Sequence, residues 1–107
     1  MLGILLNMNL LEATVTRERD KIEYMLTEYQ RRLKELPKGT LSEKRVGTKT
    51  YYYLKYRVGK KVVSDYVTRD ELPALMEQLE HKKHIKTMIR YLKEELSSAN
   101  RLLGGRR

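Results

Sequence analysis

Nine side chains in the middle of the chain, Lys44, Tyr51, Tyr53, Lys55, Arg57, Lys60, Lys61, Ser64 and Tyr66, bring cations, phenol rings and a hydroxyl together within a short span. Lys and Arg neutralise phosphates, while phenol and guanidinium planes pack on bases and sugars. That is the chemistry of a surface that receives a polyanion. Its densest part is KTYYYLKYRVGKKVV, Lys49 to Val63, where four tyrosines and five basic residues occupy fifteen positions. The charge of the whole chain follows the same map. Residues 1–36 hold six Lys/Arg and six Asp/Glu, residues 37–69 hold nine against two, and residues 70–107 hold eight against six, so the middle segment carries most of the formal charge of +9. A local positive field of this kind attracts polyanions and speeds their encounter.

Other chemistries are less well supplied. Glu77, His81 and His84 fall at helical spacing on one face, a spacing that can hold a metal, but Lys82, Lys83 and Lys86 crowd the same stretch and oppose a cation. A zinc site would also need a further ligand or an open position built from elsewhere. A solvated helix face with Glu77 and His81 as an i,i+4 pair is the expectation, and no metal is assigned. For nucleophilic catalysis the residue types exist, yet no elbow or glycine-rich frame holds them. GTKT and VGKK lack the spacing of a phosphate-binding loop and read as hairpin turns. Asp65 is expected to counter a neighbouring base. No enzymatic activity and no cofactor is expected. The absence of cysteine excludes disulfides and thiolate sites, and makes the reducing cytoplasm the natural compartment. The apolar opening MLGILLNMNLL is about half the length that spans a bilayer and lacks the features of a signal peptide, so no membrane association is expected.

The elements that must position these residues read as helix, three strands, helix. From Asn9 to Leu36 no Pro or Gly interrupts, and Ile22, Leu26, Tyr29, Leu33 and Leu36 recur at steps of 4, 3, 4 and 3. That seam predicts an amphipathic helix within residues 1–36, with Asn9 and Glu12 as a capping box and Pro37 and Gly39 as its stop. Ile4, Met8, Leu11 and Val15 continue the stripe upstream and are the candidate self-association residues of a homodimer. Residues 40–68 switch to short β-branched and aromatic runs punctuated by Gly47–Thr48 and Gly59–Lys60, the pattern of an antiparallel meander. Thr68 and Glu71 repeat the capping pattern before a helix over 70–103, in which Ile89, Leu92, Leu96, Ala99 and Leu103 recur at 3, 4, 3 and 4. Residues 104–107 read as a flexible tail. The whole is one α+β domain of 107 residues, with the helices expected to pack on one sheet face and on each other.

Two-residue turns at Gly47–Thr48 and Gly59–Lys60 would pair Arg45 with Thr50 and Arg57 with Val62. Side chains alternate along a strand, so this register assigns every position to a face. One face collects Leu41, Tyr52, Leu54, Tyr56, Val58, Val63 and Val67. The other collects Ser42, Lys44, Tyr51, Tyr53, Lys55, Arg57, Ser64 and Tyr66, with Val62 as its main aliphatic member. Three uses fit this second face: a solvated surface on which Tyr53 and Tyr66 cover each other, a platform for nucleic acid, and a protein interface.

The segment KGTLSEKRVGTKTYYYLKYRVGKKVVSDYVTRDELPALMEQLE resembles the small arm-binding domain of phage and transposon tyrosine integrases. The resemblance covers about forty residues and implies a sheet lying in the DNA major groove, backed by the helix, with Lys44, Tyr51, Tyr53, Lys55, Arg57 and Ser64 toward the DNA. The long N-terminal helix departs from that pattern. LPKGTLSEKR, KTYYYLKYR and KKVVSDYV, with helices on both sides, also resemble a family of short uncharacterised bacterial and mobile-element proteins, over nearly the whole chain. That second resemblance implies architecture alone. The function expected from these features is non-enzymatic binding of nucleic acid, DNA ahead of RNA, through the open sheet face. The alternative is a protein-binding adaptor or inhibitor of a phage or mobile element, anti-CRISPR-like, acting on a host nuclease or defence complex or on a protein–nucleic acid complex.

Overall fold

The computed structural model describes residues 9–104. Helix α1 (Leu10–Lys34) is followed by strands β1 (Thr40–Val46), β2 (Lys49–Val58) and β3 (Lys61–Val67) and by helix α2 (Leu72–Leu102). The order confirms the α+β class. Helix α1 begins where the capping box places it: Asn9 Oδ1 accepts from the Glu12 amide at 2.7 Å, and the Asn9 amide donates to Glu12 Oε1 at 3.2 Å. Thr68 and Glu71 repeat the reciprocal pair ahead of α2, at 3.0 and 3.2 Å. Each box satisfies amides that the first helical turn leaves without partners. The end of α1 falls at Lys34, before Leu36, because a residue preceding proline is driven out of the helical region.

The chain divides into two compact units. One holds α1 up to Leu33 together with α2 from Ile85 onward; the other is Lys34–His84. In the helical unit Ala13, Ile85, Leu92 and Ala99 are buried, with Leu92 3% exposed; of the expected α2 seam Leu92 and Ala99 are thus buried, while Ile89, Leu96 and Leu103 are half-buried. In the unit Lys34–His84 the three strands form one antiparallel sheet in the order β1-β2-β3. Its only buried apolar residue among those described is Val67. The extensive pairings are β1 with β2 and β2 with β3, and they do not establish the expected packing of helices over the sheet face. One link from α2 inside this unit is explicit. The Lys82 ammonium donates to the carbonyl oxygens of Pro37 and Gly39, each at 3.0 Å, fastening the linker that leads into β1.

Register follows the two hairpin turns. Arg45 lies opposite Thr50 and Arg57 opposite Val62, with Lys44 opposite Tyr51, Ser42 opposite Tyr53, Tyr53 opposite Tyr66 and Lys55 opposite Ser64. A slip of one residue would have exchanged the faces. None occurs.

Candidate nucleic-acid interface

Directly opposed residues of an antiparallel pair project to the same side. The register therefore gathers Lys44, Lys49, Tyr51, Tyr53, Lys55 and Arg57 with Ser42, Val46, Val62, Ser64 and Tyr66 on one face. The other face carries Leu41, Tyr52, Leu54, Tyr56 and Val63, all half-buried, and the buried Val67. Both carboxylates of the strands, Glu43 and Asp65, belong to this second face, opposite Tyr52 and Leu54. The first face thus bears four cations and no acid, and Lys44, Lys49, Lys55 and Arg57 are all exposed. Cations without carboxylates among them keep a positive field that paired charges would cancel.

The tyrosines of this face form a cluster. Tyr66 sits edge-on to Tyr53, with ring centroids 5.7 Å apart, and is tilted against Tyr51 at 6.4 Å. Edge-to-face contact satisfies the ring quadrupoles and leaves part of each ring uncovered. Tyr66 remains 54% exposed and Tyr51 and Tyr53 are half-buried, so the rings cover each other only in part.

The remaining candidates are placed differently. Lys60 stands in the β2–β3 turn, and Lys61 lies opposite Val58 with the parity of Tyr56 and Val63, so both are at the rim of the sheet or on its other face. Lys49 shares the open face, a position that its sequence neighbourhood alone does not single out. Its pairing with Val46 carries the signal, since the same alternation that places Lys44 places Lys49. Ile4 and Met8 lie outside the described residues. Leu11 is 72% exposed and Val15 half-buried. Among the described residues no three His, Cys, Asp or Glu side chains come together to hold a metal ion, Glu77, His81 and His84 included. Among those residues, too, no helix is long and apolar enough to cross a membrane.

Among the described residues Asp65 forms no ion pair with a base, the partner that its sequence surroundings suggest. It accepts a hydrogen bond from the Tyr56 hydroxyl at 2.7 Å, diagonally across β2 and β3. This bond, with some desolvation and the carboxylate charge, raises the Tyr56 pKa above its ordinary value of 10.0. The neutral phenol is the favoured form in the folded chain. Its stabilising contribution is complete below the ordinary phenol pKa and disappears as pH rises through the higher folded value. Asp65→Ala should bring the Tyr56 midpoint down, as read from tyrosine ¹³Cζ shifts against pH, and an unmoved midpoint would contradict the assignment.

No curated protein and no solved structure matches the chain. The resemblance to integrase arm-binding domains therefore gains no support. Residues 11–78, running from the start of α1 through the whole meander into α2, match the family described as a domain of unknown function (DUF6788). The match covers well over half of the sequence, and the chain belongs to that family.

Proposed function

We propose that this protein binds nucleic acid, DNA in preference to RNA, without catalysing a reaction, through the open face of its β-meander. The observation that carries this reading is the segregation of charge. Lys44, Lys49, Lys55 and Arg57 share one face with Tyr51, Tyr53 and Tyr66, while Glu43 and Asp65 lie on the other. On this reading the cations meet phosphates and the tyrosines pack on sugars or bases, with Ser42 and Ser64 as neutral hydrogen-bonding groups between them. Three strands place the outer two about 10 Å apart, comparable with the ~12 Å width of the B-DNA major groove. The major groove of A-form RNA is too narrow and deep for such a face.

Gel-shift titration of duplex DNA, duplex RNA and single strands at two salt concentrations tests the proposal. Duplex DNA should bind tightest, and its affinity should fall steeply with salt, with a log–log slope of roughly −3 to −4 if each open-face cation meets a phosphate. Duplex binding that ignores salt would defeat it. A partner captured from lysate and retained after nuclease treatment, with no direct duplex binding, would favour a protein-binding adaptor.

A further inference from the structure

The sheet is staggered. Along β2, β1 covers Lys49–Lys55 and β3 covers Tyr52–Val58, so each outer strand leaves one corner of the central strand without a partner. The corner beyond the start of β1 is occupied by the linker: Gly39 packs so closely that a Cβ there would meet the Lys55 carbonyl and the Tyr56 Cβ, and Lys82 holds the Gly39 carbonyl in place. Among the described residues no strand pairs at the corner beyond the end of β3. The chain leaves Val67 for the Thr68–Glu71 capping turn, and Lys49, Thr50 and Tyr51 face no strand on that side.

A cleft of about 440 Å³ opens at this second corner. Among the described residues its charged lining residues are Lys49 and Arg69, with no carboxylate, and Thr48, Tyr51 and Tyr66 line it beside the apolar Val67 and Leu72. The volume lies within the usual range for small-molecule sites. Two cations and the Thr48 hydroxyl suit a phosphate, charge-assisted bonds being the stronger kind, and Tyr51 and Tyr66, tilted 53° to each other, each offer a ring face for a base. The N–H and C=O of Thr50, which the alternation of the ladder turns away from β1 and which have no strand opposite, add hydrogen-bonding capacity at the wall.

We infer that this corner cleft binds one nucleoside monophosphate unit, its phosphate between Lys49 and Arg69 and its base against Tyr51 and Tyr66. The source is either the phosphorylated end of a strand lying on the open face or a free nucleotide; the first of these rests on the nucleic-acid reading given above. The cleft then adds end recognition to a surface that otherwise grips backbone.

Calorimetric titration of the full chain with adenosine 5′-monophosphate, adenosine and inorganic phosphate at low salt tests the shared chemistry. The monophosphate should bind at least about tenfold more tightly than either fragment, and Arg69→Ala should weaken it by about tenfold. Lys60→Ala removes the same charge at the opposite end of the sheet and should leave affinity within about twofold. Monophosphate binding no tighter than phosphate, or equally weakened by Arg69→Ala and Lys60→Ala, overturns the inference. Short single strands with and without a 5′-phosphate distinguish the sources. A gain from the phosphate that Arg69→Ala abolishes assigns the strand end, whereas no gain with intact monophosphate binding assigns the free nucleotide. Duplex affinity is read separately, so loss of the open-face reading with monophosphate binding intact leaves the cleft standing.

Discussion

Gly39→Ala should destabilise the sheet unit by about 2–5 kcal/mol, combining roughly 1–2 kcal/mol for a side chain in the left-handed region with 1–3 kcal/mol for overpacking. Gly39 has φ of +102°, and its position against the Lys55 carbonyl leaves no room for a Cβ. Neither the carbonyl nor the Tyr56 Cβ can swing aside as a flexible side-chain end would. The Lys82 ammonium, bound to the carbonyls of Pro37 and Gly39, resists movement of the linker itself. In thermal denaturation the midpoint should fall by on the order of 10 °C or more. Gly47→Ala is the matched control, since Gly47 also has a positive φ, +64°, but a Cβ there would meet nothing within 4 Å. Its cost should be only the conformational part, about 1–2 kcal/mol. Equal losses for the two would mean that the close approach at Gly39 contributes nothing.

The second large effect concerns binding. Combining Lys44→Ala, Lys55→Ala and Arg57→Ala removes three of the four open-face cations, none of which lies in the buried core. Every phosphate that is no longer neutralised should flatten the log–log salt dependence by roughly 0.9, so the slope for duplex DNA should decrease in magnitude by nearly three. Affinity at ~0.1 M salt should fall by two to three orders of magnitude. Circular dichroism and the thermal midpoint should change little, because exposed charges of this kind contribute little to stability. Tyr53→Ala or Tyr66→Ala in the same assay separates stacking from charge, since removal of a ring that packs on a base costs about 1–3 kcal/mol with little change in slope.

Much of this arrangement could be read from the residues. The two-residue turns at Gly47–Thr48 and Gly59–Lys60 set the register, and strand alternation then divided Tyr52 and Tyr56 from Tyr51 and Tyr53. Both capping boxes were visible because their reciprocal bonds join residues three apart, within reach of local pattern. Contacts between distant segments were not visible. Lys82 reaches carbonyls more than forty residues away, and nothing in the run HKKHIK distinguishes it from Lys83 or Lys86. Bases surround Asp65 in sequence and suggest one as its partner, whereas the pleat turns it toward Tyr56 on the opposite diagonal. The corner cleft depends on unequal strand overlap, and Arg69 joins Lys49 there only because β3 stops at Val67.

One face of the meander, rather than the basic segment as a whole, is the proposed meeting point with nucleic acid. Moving the same loss of charge from one face to the other tests this most directly. Lys44→Ala with Arg57→Ala removes two charges from the open face, and Arg45→Ala with Lys61→Ala removes two from the opposite parity on the same sheet. Both pairs lower net charge equally, so any nonspecific field effect is common to them. The slope of log K against log salt for duplex DNA should flatten by roughly 1.8 for the first pair and by less than about 0.5 for the second. Equal flattening by the two pairs, or none by the first, would contradict a face-specific interface.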